Sequence, residues 1–118
     1  MAKTAVLIFH DDDASLRVGA SVSERMRQAA PDAGVEIEVF VFGPAQAVLS
    51  AHEDGETREA FREAIDDLVE RGVVVGACVN VARANDAEAS LSARGLRLDF
   101  ARDVFLRWGH EGAAVLSF

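Results

Sequence analysis

One cysteine, Cys78, and one lysine, Lys3, occur in the 118 residues, and no apolar run approaches the roughly 20 residues needed to span a bilayer. A single cysteine excludes an internal disulfide and any two-cysteine redox cycle confined to one chain, and it suits a cytoplasmic protein. Positive charge is sparse: the formal net charge is -8 and the arginines are spread along the chain without forming a basic patch. Such a surface repels phosphate backbones, so nucleic-acid binding is disfavoured. There is no GxGxxG fingerprint, P-loop or Gly-x-Ser-x-Gly elbow, which argues against dinucleotide binding, phosphate cradling and serine hydrolysis. His10, His52 and His110 are scattered and, with one cysteine, give no metal-ligand spacing; neither a metal nor another cofactor is expected. Repeats, linkers and low-complexity tracts are also absent.

Half of the residues are hydrophobic, and the length suits one domain spanning 1–118 with a single sizeable core. The start, Met1 to His10, has a short apolar run that meets Asp11-Asp12-Asp13, so it reads as a first strand rather than a signal peptide. Thr4 to Phe9 has no polar alternation, as in a strand covered on both faces. Asp11 to Asp13 can cap a helix whose Val18, Val22, Met26 and Ala29 recur at helical spacing, ended by Pro31-Asp32-Ala33-Gly34. Val35 to Phe42 is a second strand, in which Glu36 and Glu38 alternate with apolar residues and suggest an edge or half-exposed position.

After Gly43-Pro44 a short helix over 45–51 and a polar loop over 52–55 are expected. Thr57 can cap a helix carrying Phe61, Ala64, Ile65 and Leu68 at i, i+3, i+4 and i+7, stopped by Gly72. The Val73–Cys78 strand follows, then a helical stretch through Val81 and Ala84 towards Leu91. Leu96 to Leu98 is a short strand. Ala101, Val104, Phe105 and Trp108 make one apolar helix face stopped near Gly109 and Gly112, and Ala113 to Phe118 is a last strand. This strand–helix alternation predicts the α/β class, a three-layer α/β/α sandwich around a mostly parallel sheet of about five strands.

Open α/β sheets put their sites at the C-terminal rim of the strands, and Cys78 ends an apolar strand there. A free cysteine in that setting is either a small buried hydrophobe or the reactive group. Asn80 can cap a helix starting at Val81, Arg83 is the nearest cation, and His10 shares the rim; all three are candidates to tune the thiol. Asp11 to Asp13, after the first strand, read as helix capping and solvated charge, or as an Mg²⁺ site of the receiver-domain type. The latter wants an acceptor aspartate at the end of the third strand, where this chain has Cys78. The Phe100–Trp108 stripe reads as core or subunit interface.

The segment Gly72-Val73-Val74-Val75-Gly76-Ala77-Cys78-Val79-Asn80-Val81-Ala82-Arg83-Ala84-Asn85 resembles the central segment of the DsrE/DsrF-like family, which includes the TusD and YchN-like groups. There an apolar strand ends in Ala-Cys-Gly-Asn or a close variant and leads into a short helix; this chain has Val79 where glycine is common. The order of elements agrees over nearly the whole chain. The resemblance implies a parallel α/β fold, assembly into homo-trimers or hexamers, and a strand-end cysteine that carries a persulfide to a partner protein of the TusA-like kind. Cys78 carries over as the sulfur carrier and Asn80 as its motif neighbour. Two readings stand: a cytoplasmic sulfur carrier with Cys78 as the accepting thiol, or an oligomeric binding or assembly module in which Cys78 is structural.

Overall fold

The computed structural model describes residues 1–51 and 54–118. His52 and Glu53, from the loop expected over 52–55, lie outside the described residues. The element order is β1 (Ala2–Ile8), α1 (Asp13–Ala33), β2 (Val35–Val41), α2 (Gly43–Ser50), α3 (Glu56–Glu70), β3 (Val74–Cys78), α4 (Val79–Ala84), α5 (Glu88–Ala93), β4 (Arg97–Asp99), α6 (Ala101–Glu111) and β5 (Ala114–Ser117). All strand pairs are parallel, in the order β4-β3-β2-β1-β5. The architecture is the expected α/β sandwich, with layers of unequal weight.

That inequality follows from the direction of the chain across the sheet. From β1 to β4 each strand is added on the same side, and right-handed crossovers put α1 to α5 on one face. The last crossover runs back past β1 to β5, so the same handedness puts α6 on the opposite face. The first face packs Val6, Ile8, Val39, Val41 and Val75 against Leu16, Leu49, Phe61, Ile65, Leu68 and Leu91. The second packs Ala5, Phe40 and Cys78 against Val104 and Trp108 of α6. One 11-residue helix cannot cover five strands, and β5 keeps Val115 and Leu116 exposed.

Asp12 caps α1 as expected, its carboxylate accepting from the Ser15 amide at 3.1 Å and the Ser15 hydroxyl at 2.8 Å. The stop is Gly34, left-handed at φ 67°, while Pro31 sits inside the last turn. The buried face of α1 is Leu16, Gly19, Ala20, Ser23 and Ala30, and the expected face residue Val18 is exposed. Close approach decides this: a Cβ at Gly19 would meet Ile8 Cγ1 at 3.0 Å, so small residues face the sheet. Ser23 satisfies its hydroxyl on the Gly19 carbonyl at 2.7 Å. The single helical stretch expected after Cys78 is two helices, broken at Asp86 with φ 52°.

The strand with alternating glutamates is not an edge. β2 lies between β1 and β3, and Glu38 is buried on the α6 face. Lys3 Nζ donates to it at 3.0 Å, and Arg107 donates through Nη1 at 2.9 Å and Nη2 at 2.6 Å. Glu111 accepts from Lys3 and Arg107 at the network's outer side. A buried carboxylate held by two cations escapes the cost of an unpaired charge.

Candidate functional site

Cys78 is the last residue of β3 and the residue preceding α4. It is 4 % exposed, and its residue borders an open cleft of about 350 Å³ at the C-terminal rim. The other walls are Phe42, Asn80, Val81, Phe100, Ala101 and Arg102, so apolar and polar side chains share the lining. Beneath the thiol lie Phe40, Val104 and Trp108. Gly76 makes room there, since a Cβ would approach Phe40 Cδ1 to 3.0 Å and the Arg97 carbonyl to 3.2 Å.

The backbone of Cys78 is held from the other side by Gln46, a fully buried residue of α2. Gln46 Nε2 donates to the Cys78 carbonyl at 2.8 Å, and the Cys78 amide donates to Gln46 Oε1 at 3.0 Å. Sequence reasoning missed this residue. The available signal was a glutamine among Ala45, Ala47, Val48 and Leu49, a polar group in an apolar short helix that burial obliges to find partners.

The structure separates the other expected participants. Asn80 is an exposed residue inside α4, which begins at Val79 and has no side-chain cap, so Asn80 borders the cleft without capping a helix from Val81. Arg83 turns to Glu88 at 2.9 Å and does not line the cleft. The cation that lines the cleft is Arg102, paired with Asp103 at 3.1 Å and stacked over Phe100 at 5.7 Å. His10 is exposed and makes an edge contact with Phe9 (5.1 Å between ring centres). Phe9 meets Phe42 at 5.7 Å, so rings link His10 to the cleft wall. Asp11 lies 3.5 Å from Arg58, and His110 is exposed in the last turn of α6. Among the described residues no group of three or more His, Cys, Asp or Glu is placed to hold a metal ion.

Charge on this face is concentrated at the opposite end of the sheet. Burial alone would raise the Glu38 pKa, but hydrogen bonds from Arg107 and Lys3 outweigh it and hold the carboxyl at about 2. The Trp108 indole N–H also acts on Glu38 electrostatically but falls short of hydrogen-bond geometry, leaving Nε1 buried and unsatisfied. Arg107 is pushed up by its hydrogen bonds to Glu38. Burial lowers the Lys3 pKa, and hydrogen bonds to Glu111 and Glu38 more than reverse it.

A solved structure of the ychN protein from E. coli superposes on the whole of this chain and the whole of its own, with a TM-score of 0.64 at 14% identity. The chain has the YchN-like fold, which is the DsrE/TusD-like fold. Two proteins of unknown function share it more closely in shape. One, from Methanobacterium thermoautotrophicum, matches over all of both chains with a TM-score of 0.76 at 21% identity. The other, a conserved protein from Bacteroides thetaiotaomicron, covers 98% of this chain and 94% of its own, with a TM-score of 0.78 at 12% identity. No family model and no curated protein matches the sequence. Within the YchN-like fold of this chain, the Cys78 cleft occupies the rim where α/β proteins bind ligands.

Proposed function

We propose that this protein is a sulfur carrier, accepting sulfane sulfur on Cys78 and passing it to a partner. The observation that carries the reading is the position of Cys78, at the end of β3 and bordering an open cleft at the C-terminal rim of the sheet. The Cys78 thiolate attacks the outer sulfur of a donor persulfide, R–S–SH. An Sγ–S bond forms, the donor's S–S bond breaks, and its electron pair leaves with R–S⁻, so no outside oxidant or reductant is needed. An acceptor thiolate then repeats the exchange, regenerating the Cys78 thiolate. Asn80 borders the approach, while neither Arg83 nor His10 lines the cleft. The partner is a TusA-like sulfur protein, and the setting is cytoplasmic.

The working form in this reading is a homo-trimer or hexamer. It is supported by the thin cover of the second face, where Leu7, Phe105, Trp108, Ala113 and Val115 line an apolar groove beside α6. Leu106, 68 % exposed, stands on the same helix. Sedimentation as a monomer would overturn this part.

A second reading has its own support: at 4 % exposure among apolar neighbours, Cys78 resembles packing, and the chain would then be a YchN-like binding or assembly module. Intact mass after incubation with a sulfane-sulfur donor separates the two. Thiol-sensitive added sulfur on the native chain, absent from Cys78→Ser, is the expected result. No adduct on folded protein, with Cys78 labelled only after denaturation, would favour the module.

A further inference from the structure

We infer that Gln46 is the positioning residue of the Cys78 thiol: its carboxamide stands in for a strand residue that β2 does not supply. The inference rests on the reading of Cys78 as the reactive group. The β2–β3 register ends at Val41↔Ala77, because the chain leaves the sheet at Phe42 and turns through Gly43 at φ 59° into α2. Cys78 pairs with Asp99 of β4 but has no β2 residue opposite it. No β2 backbone group is left for its amide, and Gln46 takes that place, accepting from the amide and donating to the carbonyl. Only a group carrying both functions, at that reach and with no solvent access, can do this. The consequence lies at the thiol. With its amide and carbonyl both held by the Gln46 carboxamide, the last residue of β3 cannot swing as the chain passes from strand to helix, and its side chain stays in the cluster that Phe42 and Val81 pack against.

The test is the rate of Cys78 alkylation by iodoacetamide across pH, divided by the thiolate fraction followed by absorbance, for the wild-type chain, Gln46→Met and Gln46→Glu. Gln46→Met keeps the length and removes donor and acceptor; its normalised rate should fall on the order of tenfold or more at every pH, as loss of orientation implies. Gln46→Glu has a built-in control. As the neutral acid it presents the same acceptor and donor as glutamine, and as the carboxylate it loses the donor. Its normalised rate should therefore match wild type at the acid end and fall as the introduced carboxyl ionises. A role in folding alone gives no such titration. Unchanged rates in both variants would overturn the inference. So would faster alkylation in both, since the amide would then merely seal the thiol in.

Should the variants fail to fold, hydrogen exchange of the native protein decides. A Gln46 side-chain N–H protected like core amides supports the clamp, and exchange as fast as in an exposed glutamine overturns it. Failure of the carrier reading is separable. If wild type takes no sulfur from a donor while the alkylation profiles behave as described, only the carrier reading falls. If wild type is persulfidated while Gln46→Met alkylates at the wild-type rate, only the positioning role falls.

Discussion

Glu38 offers the sharpest test of the energetics. Its side chain is 7 % exposed and lies in the middle strand of the sheet, bonded by Lys3 and Arg107. Folding moves its pKa from the ordinary 4.5 down to about 2. At 1.36 kcal/mol per pH unit this corresponds to roughly 3 kcal/mol, and the partial solvent access of Arg107 reduces it to about 2 kcal/mol. The sign follows from linkage. A depressed carboxyl binds its proton less readily in the native state, so its contribution is complete above about pH 4.5 and is lost as pH falls towards about 2. Other carboxylates titrate over the same range, so the informative quantity is a difference. Urea unfolding of wild type and Glu38→Gln, measured from pH 6 down to pH 2.5, should show wild type losing about 2 kcal/mol more than the variant. At pH 6 the variant itself should be less stable by about 2–4 kcal/mol, because Lys3 and Arg107 lose their shared counter-charge. Parallel pH profiles for the two proteins would refute the argument.

Two further outcomes are expected. Gly43→Ala should destabilise by about 1–3 kcal/mol, because its φ of 59° is unfavourable for alanine and the new Cβ would lie 2.4 Å from Phe9 Cε2; thermal unfolding reads the loss directly. Leu106→Asp should convert the proposed assembly to monomer in sedimentation with little change in stability, since Leu106 is exposed in the isolated chain; an oligomer unaltered by the substitution would take the α6 face out of the proposed interface.

Much of the fold was legible in the sequence because it rests on local signals. Phe61, Ile65 and Leu68 turn to the core as their spacing requires, Asp12 caps α1, and Gly34 and Gly112 close helices in the left-handed conformation. The α1 face was misread because its contact with the sheet is made by Gly19, Ala20 and Ser23, whose smallness permits closeness but carries little hydropathy signal. The site was half legible. Cys78 at a strand end points to the rim, but the neighbours expected from spacing, Asn80 as a cap and Arg83 as a cation, are displaced by an earlier helix start and by Glu88. Gln46 and Arg102 meet the same site from 32 residues before and 24 residues after Cys78, distances over which local patterns carry no information.

The sequence alone therefore determined the strand and helix alternation, the parallel α/β class and the rim position of the cysteine, since hydrophobic period, caps and breakers act within a few residues. The tertiary structure decided the strand order, the single helix on one face, the burial of Glu38 in a central strand and the clamp on Cys78. These depend on which distant segments share a face, and a glutamate in a strand reads the same at an edge as in the middle. Only the arrival of Lys3 and Arg107 from elements 35 and 69 residues away makes its burial affordable.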